Sequence, residues 1–97
     1  MPAEEIPSRR GATADFLDDC VATVLRDARA AVSSLAGSRG SSNERFDAGV
    51  VQGYWEVLTT LRSRAEIHGV RTGVHEFNTL DPDEFLWGSA DLRGPAT

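Results

Sequence analysis

The placement of proline constrains this chain more than any other feature of its sequence. Prolines occur only at positions 2, 7, 82 and 95 of the 97 residues. An interior proline removes a backbone donor and clashes with the preceding helical turn, so the interval from Ser8 to Asp81 lacks the strongest helix breaker. A chain of this length forms one domain with a limited core. We therefore expect a single small helical domain.

The first helix is predicted between Thr13 and Ala36, where apolar residues recur at intervals of three and four, the spacing of one helix face. Acids near its start and arginines toward its end match the helix dipole. Gly37 is expected to end this helix. Cys20 lies among the apolar positions and is expected to pack in the core as a small hydrophobic residue.

A second helix is predicted from about Ser42 to His68. Ser41 and Glu44 have the Ser-x-x-Glu spacing of a capping box at its start. Gly69 follows its last residue and is expected to adopt the left-handed conformation that commonly ends a helix.

The sequence DPDEFLW predicts a short third helix from Pro82 to Trp87. Asp81 is suited to the N-cap, and Pro82 to the first helical position. For residues 70–80 the sequence leaves two alternatives open, an irregular loop or a short extended piece.

These elements predict an all-α fold, an antiparallel two-helix hairpin with a short third C-terminal helix. We expect this unit to form a helical-bundle homodimer. Residues 13–87 form the predicted domain. Residues 1–12 are expected to be a disordered tail and residues 88–97 a flexible one, since both are irregular in composition.

Two glycines interrupt the second helix within the stretch FDAGVVQGYWEVLTTL, and each costs a helix interior about 0.5 to 1 kcal/mol relative to alanine. Gly49 and Gly53 lie at the margin of the broad apolar side that contains Phe46. Ala28 and Ala31 lie on the face of the first helix that would meet this side. We expect these small residues to allow close packing of the two helices; a kink or a ligand over the bare backbone is the alternative.

The apolar arc of the second helix spans roughly 200°, more than one neighbouring helix covers. Aromatic anchors beside arginine are typical of binding hot spots, so the far side of this arc is predicted to be an exposed interaction surface. Its residues are Val51, Tyr54, Trp55, Leu58 and Arg62. The alternative is that the 70–87 segment folds back over this stripe and buries it.

The charge balance disfavours nucleic acid as a partner. The chain has 15 acidic and 10 basic residues and a net charge of −5, whereas phosphate contacts need a concentrated positive face. All ten basic residues are arginine, which with the abundance of Ala, Gly, Val and Asp indicates a GC-rich bacterial or phage genome. The acidic group Asp81, Asp83 and Glu84 suggests an immunity or phage counter-defence inhibitor that masks a basic surface of a target protein.

No catalytic arrangement is predicted. His68 and His75 do not have a metal-ligand spacing, and the sequence contains no phosphate-binding loop, catalytic triad or Cys-x-x-Cys. We expect no metal, no cofactor and no enzymatic activity. A third hypothesis is a small nucleotide-like ligand bound at a helix interface over the glycines, beside Tyr54, Glu56 and arginines of a partner subunit.

The leading functional prediction is a small acidic protein–protein interaction module that acts as a homo-oligomer. One cysteine is compatible with a reducing compartment. The sequence shows neither a signal peptide nor a run long enough to cross a membrane, so a cytoplasmic protein without a membrane partner is expected.

Overall fold

The protein is described by a computed structural model that gives the backbone of residues 2–88 and the side chains of residues 11–88. Two long helices, α1 (Pro2–Ser38) and α2 (Glu44–Ile67), are followed by one short turn of helix, α3 (His75–Asn78). A single π-helical turn, α4 (Asp83–Trp87), comes last. No strand occurs within residues 2–88. The predicted all-α class is confirmed, and the paired long helices form the predicted hairpin.

Helix α1 begins at Pro2, well before the predicted start at Thr13. Proline at the first helical position and acids in the first turn are a favourable helix start. With 37 residues against the 24 of α2, α1 extends beyond its neighbour. The predicted disorder of residues 1–12 concerns motion in solution and stays a prediction. The predicted flexible tail lies outside the described residues, apart from Gly88.

The end of α1 differs from the prediction. Gly37 is helical, and the left-handed residue is Gly40, with φ of 84°. The Ser41 backbone N–H donates to the carbonyl of Ser38 at 2.8 Å, which satisfies the last carbonyl of the helix. The prediction that Gly37 ends α1 is wrong, because the reversal occurs three residues later.

The predicted capping box at the start of α2 is also wrong in detail. Asn43 is the N-cap residue and makes no side-chain capping bond. The Ser41 hydroxyl instead donates to the carbonyl of Ser38 at 2.6 Å. The Glu44 carboxylate accepts from the backbone N–H of Gly40 at 2.9 Å. Both polar side chains therefore stabilise the turn before the helix.

The C-terminus of α2 confirms the role predicted for Gly69, which has φ of 66°. The N–H of Gly69 donates to the carbonyl of Glu66 at 3.2 Å, and the N–H of Val70 to that of Ala65 at 2.8 Å. This pair of bonds defines a Schellman motif, in which a left-handed residue satisfies the terminal carbonyls.

Side-chain hydrogen bonds organise residues 70–80, which the sequence left undetermined. Asn78 accepts from the N–H of Thr72 at 2.9 Å and donates to its carbonyl at 2.8 Å. The N–H of Gly73 donates to the Asp18 carboxylate at 2.8 Å, which fixes the segment to α1. These bonds replace regular secondary structure between α2 and α3.

The predicted third helix is present as α4, a π-helical turn, which is wider than a turn of α-helix. Asp81 was predicted as the N-cap, whereas Pro82 is the N-cap residue; the Asp81 carboxylate nevertheless accepts from the N–H of Asp83 at 3.1 Å. Within this turn Leu86 is fully buried.

The core lies between the hairpin and the C-terminal elements. Among the described side chains, the buried ones are Val21, Leu25, Ala28, Ala31, Leu35, Val51, Leu58, Phe77 and Leu86. Cys20 is exposed. Its predicted core position is wrong, because α1 turns the face of Val21 and Leu25 toward α2.

Candidate interaction surface

The surface predicted from the wide apolar arc of α2 lies largely inside the molecule. Val51 and Leu58 are both 0% exposed. They pack in one cluster with Phe77 and Leu86 from the C-terminal elements. The predicted exposure is wrong for these two residues, because this side of α2 packs in one core with the buried face of α1 and with the 70–87 segment.

The remaining residues of that predicted surface are half-buried and contact their own chain. The Trp55 Nε1–H donates to the Asp83 carboxylate at 2.6 Å. The Arg62 guanidinium lies 5.4 Å from the centroid of the Phe77 ring, within range of a cation–π contact. Tyr54 packs against the core cluster. A binding role for these three side chains stays a prediction.

The two glycines of α2 are not at a helix–helix contact within the chain. A Cβ atom added at Gly49 or Gly53 would meet no atom within 4 Å, and both residues are exposed. Ala28 and Ala31 are buried, at 0% and 8% exposure, but they do not pack on the glycines. The predicted close packing is wrong, because the glycine side of α2 faces away from the rest of the described chain.

A row of apolar residues follows this outward side of α2. Phe46 is 73% exposed, Val57 45% and Leu61 37%. Val50 is half-buried, and Gly53 lies between Val50 and Val57 on the same side. We call the five residues Phe46, Val50, Gly53, Val57 and Leu61 the outer stripe. Contiguous apolar residues of this kind are typical of interaction sites.

An apolar groove of about 240 Å³ continues the outer stripe toward the C-terminal end of α2. It is bounded by α1, α2 and the loop that follows α2. Its lining residues are Leu17, Val21, Leu61, Arg64, Ala65, His68, Val70, Thr72 and Phe77. We call it the end groove. Leu61 belongs to both features, so the stripe and the groove form one continuous surface.

The acidic residues predicted to contact a target have roles in the fold. Asp81 accepts from the backbone N–H of Asp83 at the start of α4, and Asp83 accepts from the Trp55 indole. Glu84 lies in the same turn. Changing Asp81 or Asp83 would therefore alter local structure as well as charge, which confounds any test of the inhibitor hypothesis by these substitutions.

The described side chains show no other constellation suited to chemistry. No group of three His, Cys, Asp or Glu residues among them is arranged to hold a metal ion. Over the same residues, neither long helix is apolar enough along its length to cross a membrane. A shallow depression of about 350 Å³ lies beside the outer stripe, lined by Glu56, Val57, Thr60 and Leu61. The small-ligand hypothesis over the glycines stays untested.

Sequence reasoning placed Phe46, with Gly49 and Gly53 at the margin, on one broad apolar side of the helix. It assigned that side to the first helix, and so missed it as a surface. Gly49 and Gly53 were the sequence signal for this surface. Glycine in a helix interior lowers helix stability, so two of them with no contact inside the chain indicate a contact outside it.

Comparison with known proteins gives no match: no family model, no curated protein and no solved structure is detectably similar to this chain.

Proposed function

We propose that this chain is a protein-interaction module that associates with a second copy of itself through the outer stripe of α2. The observation that carries the proposal is the exposure of Phe46, Val57 and Leu61 in one row along α2, beside the side of the helix that buries Val51 and Leu58. In this proposal the chain performs no reaction and acts by bringing two chains together.

The small core supports this proposal. Of the nine described side chains that are buried, two are alanines, so the hairpin covers little apolar surface by itself. Burial of further apolar surface contributes about 25 cal/mol per Å². Association through the outer stripe would therefore add to the stability of the two-helix unit.

The exposed glycines support it further. Each of Gly49 and Gly53 lowers helix stability in the separate chain, and neither has a contact that compensates for this. A second backbone approaching this side of α2 would provide one.

The test compares two substitutions that add the same charge at exposed helical positions. Val57→Asp places a carboxylate in the outer stripe, and Ala30→Asp places one on the outer side of α1, where Ala30 is exposed. We expect Ala30→Asp to sediment like the unchanged chain and Val57→Asp to sediment as a single chain, with the same helix content for both. Equal association of the two variants would contradict the proposal.

A further inference from the structure

We propose that two copies pack their α2 helices antiparallel, and that Phe46 of each copy fills the end groove of the other. This arrangement rests on the proposed function and specifies its geometry.

The outer stripe is symmetric about a point between Gly53 and Tyr54. In an antiparallel pair centred there, Phe46 lies opposite Leu61 of the second copy, and Val50 lies opposite Val57. A two-fold dimer requires this reciprocity, in which residue i contacts j and j contacts i. Gly53 lies at the centre, where the two backbones come closest.

The end groove lies where this pairing places the second copy's aromatic ring. Leu61, Arg64 and His68 line the groove and lie on the same side of α2 as Val57, since residues three and four apart are neighbours on a helix. Phe46 is 73% exposed and has room to enter. The groove volume of about 240 Å³ is ample for its ring, since an apolar cavity of about 150 Å³ holds benzene.

The buried area distinguishes a stable dimer from a weak contact. The 24 residues of α2 span about 36 Å, so a strip one helix diameter wide covers roughly 400 Å² per copy. A stable standard-size interface buries about 800 Å² per partner. A seated aromatic ring buries about 150 to 250 Å², and each copy both inserts one ring and receives one. The stripe, which already includes Phe46, is too small alone, and the groove lining that each seated ring covers brings the buried area closer to what a stable dimer needs.

A parallel pair fits less well. It would place Phe46 against Phe46 and leave both end grooves empty. It would also align the two helix dipoles in the same direction, which is electrostatically unfavourable. The antiparallel pair uses the groove and opposes the dipoles.

Cysteine cross-linking tests the direction of packing. With Cys20→Ser as the parent, one chain carries Val50→Cys and a second carries Val57→Cys. We expect disulfide formation when the two chains are mixed and little when either is oxidised alone, because these positions meet only each other in the antiparallel pair and a disulfide needs Cα atoms within about 7 Å. Self-cross-linking of Val50→Cys, or no cross-link between the mixed chains when the parent is dimeric, would overturn the arrangement while the proposed function stands. A parent that sediments as a single chain at all concentrations would overturn both.

Truncation of the ring tests the groove. Phe46→Ala should weaken association about 100-fold or more, because an aromatic side chain seated in a pocket of the partner is a typical hot spot of interface energy. The matched control is Phe16→Ala on α1, since Phe16 is similarly exposed, at 69%, and does not line the groove; it should change association less than about 3-fold. Adding Leu61→Ala to Phe46→Ala should weaken association little further, because Phe46 of one copy and Leu61 of the other form the same contact. A Phe46→Ala effect no larger than that of Phe16→Ala would overturn insertion of the ring.

Discussion

At the residue scale, the Trp55 indole connects α2 to the last turn of the described chain. Its Nε1–H donates to Asp83, 28 residues away, at 2.6 Å, and the indole packs against the core cluster. Because Asp83 is exposed, water competes for its carboxylate, and the net contribution of the bond is about 1 kcal/mol. Trp55 therefore helps to hold α4 against the hairpin.

Removal of the indole N–H tests this contact. Trp55→Phe should lower the free energy of unfolding by about 1 kcal/mol, because it deletes the donor and keeps most of the ring. In a double-mutant cycle with Asp83→Ala, the two losses should not add. Urea denaturation measures both variants and the double variant. Full additivity would show that the bond contributes nothing in solution.

The positive φ of Gly69 gives a second prediction at this scale. Gly69→Ala should lower the free energy of unfolding by about 1 to 2 kcal/mol, since a Cβ is strained in the left-handed region. Gly37→Ala is the control, because Gly37 is helical and has nothing within 4 Å of an added Cβ. The control should be neutral or stabilising by up to about 1 kcal/mol. Thermal unfolding that shifts both variants in the same direction would contradict this difference.

Single residues with strong local chemistry were predictable from the sequence. Gly69 acts as predicted, because helix ends are determined by the few residues that carry the unpaired backbone groups. The end of α1 was not predicted correctly, since Gly37 and Gly40 are both compatible with a helix end. The hydrogen bonds of Ser41 and Ser38 select Gly40.

At the element scale, periodicity predicted α2 and its wide apolar arc, but not which side of the arc the chain covers. That choice depends on tertiary packing, in which Val51 and Leu58 join the buried residues of α1 and Phe77 of the 70–80 segment in one cluster. Bonds such as those between Thr72 and Asn78 fix this segment, and no periodic pattern indicates them. The buried and outward sides of α2 were therefore exchanged in the sequence-based prediction.

The outward position of Gly53 affects both the stability of the separate chain and the association of two chains. Gly53→Ala should change these two quantities in opposite directions. An added Cβ meets nothing within the chain, so the separate chain should gain about 0.5 to 1 kcal/mol of stability. Association should weaken about tenfold, because the methyl group lies where two backbones approach most closely. Unfolding at high dilution and sedimentation equilibrium measure the two effects. If the variant is more stable and associates as well as the unchanged chain, Gly53 does not lie at the contact between the two copies.

At the scale of the whole molecule, the chain is elongated, with extents of 63 × 23 × 16 Å. Its long dimension follows α1, which extends past α2, and its core is thin because two helices enclose little volume. Small domains bury a low fraction of their surface, and a second hairpin laid against α2 would complete a four-helix arrangement. We therefore expect the outer stripe to be covered by a second copy in solution.

The molar mass of the unchanged chain in solution tests this most directly. Light scattering over a range of micromolar concentrations should give a mass that rises to that of two chains, each of 10.5 kDa. A mass of one chain at every concentration would contradict the account, because the row from Phe46 to Leu61 would then be exposed to water in the native protein.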